Sequence, residues 1–274
     1  MLATLLMETN LPAAEPSAPE ILRQVRLFSK QPFLATAHTN LEERFSAFRS
    51  LLATVAAADA GLTGATPDEA TFLRVARQAG ERLTNFDELV EYYGRPSPQS
   101  EKARVQTPPW LEAKHLTEDY RPAWEALLLA PPSGSVRFMQ SRFTITAALA
   151  EIGSPESLPV LELAFAATCQ EGKIAAEGSA EGQRQFRIMQ ALNTYTTAEA
   201  LQVMLRCLAR AEAASGGKLP KLYGHDLRER VVRFLKNEDK YKDGEKWREI
   251  LKSFPKNGLN ANQRELLNRA TKER

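Results

Sequence analysis

The chain has 274 residues, 43% of them apolar, which suffices for one or two well-buried domains. Its formal net charge is only +2 and its mean hydropathy is −0.37, and no stretch approaches the roughly 20 apolar residues of a membrane span. The two cysteines, Cys169 and Cys207, have no CxxC spacing, so neither a zinc site nor a disulfide framework is indicated and buried free thiols are expected. Period-2 apolar runs and Asn-Gly hairpin signals are almost absent, so an all-α chain is expected.

Residues 1–19 begin with a short apolar run (Met1 to Met7) and continue through Pro12, Pro16 and Pro19 among Ala, Glu and Ser. They are expected to form a flexible tail. The run is too short for the apolar core of a signal peptide and lacks a basic start, so the expected compartment is cytoplasmic. The alternative is export to the periplasm behind a truncated signal peptide.

Residues 20–93 carry helical patterns. Glu20 to Phe28 forms a short one. Thr39-Asn40 caps a longer one in which Leu41, Phe45, Phe48, Leu52 and Val55 recur at three and four, with Gly61 ending it. Thr66-Pro67-Asp68-Glu69 combines a cap, Pro at the first helical position and acids in the first turn. The helix it opens carries Phe72, Val75, Ala76 and Ala79 and is expected to stop at Gly80, and a further helix runs from Phe86 to Gly94. Together they are expected to form an N-terminal cap or small bundle.

Residues 94–116 open with a loop containing four prolines (Pro96, Pro98, Pro108 and Pro109) and read as a linker. The remainder, 117–274, reads as a helical array. Tyr120, Trp124, Leu127 and Leu128 form one stripe, with Trp124 in the core. In Met139 to Phe165, Phe143, Ile145, Ala148, Leu149 and Ile152 make another. Gly153 supplies a left-handed helix end, and Ser154-Pro155 caps and starts the next helix, with Ser157 and Pro159 in its first turn and Leu158, Leu161 and Phe165 as its stripe.

A shift of 43 residues superposes Ile145 on Ile188, Ala148 on Ala191, Leu149 on Leu192 and Ile152 on Tyr195. It also superposes Ser154 on Thr197, Glu156 on Glu199, Leu158 on Leu201 and Val160 on Val203. The run AALAEIGSPESLPVLELAF closely resembles a bacterial HEAT-like repeat, whose period is roughly 40–47 residues with two helices per unit. The second copy, IMQALNTYTTAEALQVMLRCL, is similar but lacks the Gly-Ser-Pro turn. A weaker third unit pairs Leu227, Val231, Phe234 and Leu235 with Trp247, Ile250, Leu251 and Phe254, and a last helix near 260–270 places Leu266 and Leu267 inward. The resemblance implies an α-solenoid of helical hairpins and, with it, a non-catalytic protein–protein interaction scaffold.

Chemical signatures are missing. There is no phosphate loop, no HExxH and no GxSxG, and His38, His115 and His225 are scattered and expected at the surface. Glu42-Glu43 and Glu118-Asp119 are sequence neighbours and face apart on a helix. HEAT-like DNA glycosylases share this kind of scaffold, and phycobilin lyases also resemble HEAT-like repeats. Trp247-Arg248-Glu249 offers the residue types of the former, but Trp247 opens an apolar stripe. No catalytic residue, metal ligand or cofactor is expected.

Residues 218–274 hold 16 Lys+Arg against 9 Asp+Glu, so the basic charge is concentrated at the C-terminal end. Such a segment can meet nucleic acid, which is the alternative reading, but acids are interleaved throughout it. The expected partner-facing strip is Gln202, Arg206 and Arg210 on the second unit with Lys246, Glu249 and Lys252 on the third. The expected partner is a protein.

Overall fold

The computed structural model describes residues 17–30, 41–58, 64–94, 111–131, 143–169, 172, 175, 179–217, 221–222, 225–226, 244–253 and 261–271. The N-terminal half carries α1 (Ala18–Lys30), α2 (Leu41–Ala57), α3 (Pro67–Glu81), α4 (Leu83–Gly94) and α5 (Arg121–Leu129). The rest carries α6 (Phe143–Ile152), α7 (Leu158–Ala166), α8 (Ala180–Leu192), α9 (Ala198–Ala214), α10 (Gly244–Lys252) and α11 (Ala261–Thr271). Among the described residues the fold is all-α apart from one antiparallel pair of two-residue strands, β1 (Lys221–Leu222) with β2 (His225–Asp226), in register Lys221 to Asp226. Among the described residues no helix is long and apolar enough to cross a membrane.

The strongest start signal forms as expected. Thr66 accepts from the Glu69 amide at 3.3 Å, and the Glu69 carboxylate accepts from the Thr66 amide at 2.9 Å, a complete capping box at the head of α3. Gly80 does not end that helix. It lies inside it, where α3 crosses α2, and a Cβ there would sit 2.0 Å from the Leu52 carbonyl oxygen. Glycine serves here to let two backbones approach, not to terminate. Thr39-Asn40 and Gly61 lie outside the described residues, as do residues 1–16, while α1 begins at Ala18, inside the expected tail.

The start of α7 also differs from expectation. Ser154 makes no side-chain cap bond; Pro155–Ser157 form a 3₁₀ turn and the α-helix begins at Leu158. The reason is Pro159. A helix starting at Pro155 would need the residue 159 amide to bond the Pro155 carbonyl, and proline has no N–H. The Leu158 amide takes that carbonyl instead, in the tighter i to i+3 pattern.

Helices α3, α7, α9 and α10 contact one another in succession, as do α5, α6 and α8, and α3, α5 and α7 also meet. α5 sits at the centre: all nine of its residues are buried, Trp124 completely. Its neighbours are α3, α4, α6 and α7. The third-unit residues Leu227, Val231, Phe234 and Leu235 lie outside the described residues; Leu251 and Leu267 are buried where α10 and α11 pack.

The burial pattern repeats at the 43-residue shift. Ile145 and Ile188, Ala148 and Ala191, Leu149 and Leu192, Leu158 and Leu201, and Val160 and Val203 are all buried. The caps differ, because Thr197 bonds the Ala200 amide at 3.2 Å where Ser154 makes no such bond. Tyr195, at the position of Ile152, donates to the Leu149 carbonyl at 2.9 Å and ties the second hairpin to the first.

Candidate functional site

The expected strip begins on α9. Gln202 and Arg206 are exposed and Arg210 is half-buried. Arg206 forms a fork on the Glu162 carboxylate of α7, with contacts of 2.8 to 3.0 Å. Arg210 lies 3.6 Å from Glu162 and 3.7 Å from Asp68 of α3. The two arginines therefore bridge three successive helices, and their charge is offset by two carboxylates. On α10, Lys246, Glu249 and Lys252 are exposed. α10 packs against α9, so the two halves of the strip lie on adjacent helices.

A buried ionic cluster, not anticipated from the sequence, lies where α3, α5 and the 155–157 turn meet. Glu125 is completely buried and accepts from Arg121 at 2.8 Å, Ser157 at 2.7 Å and Arg74 at 3.2 Å. Arg121 also engages Glu118 at 2.7 Å and Glu156 through a very short contact, while Arg74 donates to the Glu156 carbonyl at 3.0 Å. Each charge has an opposite partner and further hydrogen bonds, as ions removed from water require. The signal in the sequence was a lone Glu within the apolar run AWEALLLA, with Arg four residues before it. Burial pushes the Tyr195 hydroxyl, at the edge of this cluster, far above the phenol range.

The second cluster corrects the surface assignment of His115, whose ring is fully buried among Tyr92, Tyr93 and Tyr120 at centroid distances of 5.0 to 5.4 Å. Its Nε2 lies 3.1 Å from Glu88 and its Nδ1 2.9 Å from the Tyr93 hydroxyl. The carboxylate only accepts, so Nε2 carries the proton. The Tyr93 oxygen already accepts from the Glu112 amide at 3.0 Å, so its own proton points at Nδ1. Trp124 donates to the His115 carbonyl at 2.8 Å.

Carboxylate, imidazole and phenol thus line up as a proton relay would. The phenol end is closed, however: Tyr93 is 1% exposed, and burial raises its pKa, so it keeps its proton. The chain of bonds clasps residues 111–120 to α4. Glu88 accepts from Lys114 at 2.7 Å and Tyr120 at 2.5 Å as well as from His115. These donors, Lys114 first, hold its carboxyl down to about 2. The same bond pushes the Tyr120 phenol up to about 12.

His38 lies outside the described residues, and only the backbone of His225 is described, in β2. Cys207 is buried and Cys169 half-buried, both are free thiols, and burial raises both pKa values. Glu118 and Asp119 diverge as expected, to Arg121 and Arg82. Among the described residues, no group of three or more His, Cys, Asp or Glu could hold a metal ion. Only the backbone of Trp247 is described, within α10.

Compared with family models, with curated proteins and with solved structures, the chain has no match.

Proposed function

We propose that the chain is a non-catalytic protein-interaction scaffold, an α-solenoid of HEAT-like hairpins that presents a polar helical face to a partner. The observation that carries this reading is the repeat of burial at one shift: α6–α7 and α8–α9 bury corresponding residues. Hairpins that bury the same stripes stack in register, and stacking leaves one row of helices facing outward. The successive contacts of α3, α7, α9 and α10 support such a row, with Gln202, Arg206, Arg210, Lys246, Glu249 and Lys252 on its last two members.

Local charge balance favours a protein over nucleic acid. Glu162 and Asp68 offset the two α9 arginines, which lowers what those residues would gain by releasing phosphate counterions.

The test is capture from native lysate with the full chain, at low and high salt, with proteins and nucleic acid both identified. A discrete protein is expected to survive high salt and to be lost when Arg206, Arg210, Lys246 and Lys252 are changed to Glu, with helix content preserved by circular dichroism. Retention of nucleic acid alone, lost as salt rises, would overturn the scaffold reading. A protein retained equally by the variant would move the docking face elsewhere.

A further inference from the structure

The basic residues toward the C-terminus divide by what they meet. On α9, Arg206 and Arg210 are paired to Glu162 and Asp68. On α10 and α11, the side chains of Lys246, Arg248, Lys252, Arg264 and Arg269 form no ion pair or hydrogen bond among the described residues. All but Arg248 are exposed, and Arg248 is half-buried. Each helix is anchored by a buried leucine, Leu251 on α10 and Leu267 on α11. The two helices pack on each other, and α10 packs on α9, so the cations share one end of the helical row.

Resting on the scaffold reading, we infer that the exposed faces of α10 and α11 form a docking surface for an acidic polypeptide segment. Three observations select this occupant. Among the described residues the cations have no ion-pair partner, whereas at Arg206 an incoming carboxylate would compete with Glu162. The surrounding segment, 218–274, holds 16 basic against 9 acidic residues, which steers an acidic partner toward this end. Glu249 and Glu265 are exposed among the cations. They would repel a continuous phosphate backbone, while a polypeptide can set neutral or basic side chains opposite them.

The experiment is fluorescence anisotropy with the full chain and three labelled probes: an oligoglutamate peptide, an oligolysine peptide and a short DNA duplex. Oligoglutamate is expected to bind at low salt, and oligolysine is not. The combined substitution Lys246→Glu, Lys252→Glu, Arg264→Glu and Arg269→Glu should weaken oligoglutamate by about tenfold or more, since each exposed contact contributes a fraction of that. The pair Arg23→Glu and Arg49→Glu, exposed on α1 and α2, should change it less than about twofold, because those helices pack on α3 rather than on α10 or α11. Circular dichroism on both variants reports folding, and single Lys252→Glu and Arg269→Glu variants serve if the combined one unfolds. Absence of oligoglutamate binding, equal loss in the α1–α2 variant, or tighter binding of the duplex would each overturn the inference. A lysate protein retained by wild type and by the α10–α11 variant alike would overturn it while leaving the scaffold standing. Oligoglutamate binding with no protein retained from lysate would overturn the scaffold instead.

Discussion

Thr196 holds, in the second hairpin, the left-handed backbone position that Gly153 holds in the first. The two residues are separated by the 43-residue shift, with φ of +42° and +67° respectively. The two turns therefore share a left-handed position although only the first has glycine there. A β-branched residue in this region is strained, because its Cβ crowds the neighbouring carbonyl.

Replacing Thr196 with Gly should thus stabilise the protein, by about 0.5–1 kcal/mol once the added flexibility of the unfolded chain is subtracted. Thermal unfolding should shift upward by about 2 °C. The reverse change at the matching position, Gly153→Thr, should destabilise by about 1–2 kcal/mol. A rise in melting temperature for Gly153→Thr would contradict the geometric equivalence.

Gly80→Ala should be among the most damaging single-methyl changes in the chain. The added Cβ would lie 2.0 Å from the Leu52 carbonyl oxygen and 2.7 Å from the Ala56 Cβ, and neither is the movable end of a side chain. The α2–α3 crossing must open, at a cost of about 3 kcal/mol. Chemical denaturation of the variant measures this, and a change below about 0.5 kcal/mol would show that the helices separate freely.

Glu125 is the residue on which the buried ionic cluster depends. Changing it to Leu leaves Arg121 and Ser157 without their buried acceptor, and the expected loss is about 3–5 kcal/mol. Adding Arg121→Met should recover part of that loss, since the uncompensated charge is removed with it. Equilibrium unfolding of the two single variants and the double gives the coupling, and strict additivity would place the two residues outside one network.

Acid should loosen the His115 clasp through Glu88. Its carboxyl is held down to about 2 in the folded chain, chiefly by Lys114, then Tyr120 and His115. A depressed carboxyl contributes stability above its unfolded pKa, near 4.5, and that contribution fades as pH falls from there toward 2. Carboxyl-selective NMR should find Glu88 titrating at about 2, well below the ordinary glutamate value near 4.5. Its change to Gln should flatten the acid side of the stability profile, and an unaltered profile would mean that the clasp carries no linked proton.

Several features were legible from local spacing. The capping box at Thr66, the left-handed Gly153 and the apolar stripes of α6 to α9 follow from rules that act within a few residues. The 43-residue correspondence needed only the sequence set against itself. Trp124 was readable as core because it shares a stripe with Leu127 and Leu128.

Contacts between distant segments were decided only in three dimensions. Gly80 reads as a helix end in one dimension, and only the crossing of α2 shows that it makes room for a carbonyl. His115 reads as a loop residue, yet Tyr93 and Glu88, more than 20 residues upstream, enclose it. Glu125 draws partners from 51 residues before it and 32 after it. The same holds for the candidate strip. Arg206 and Arg210 are legible as a polar helical face, but Glu162 and Asp68, which offset them, come from two other helices. Short-range rules set by backbone sterics and helical period are written in neighbouring residues. Pairing of charge and closeness of backbones depend on which helices meet, and that is decided by the packing of the whole chain.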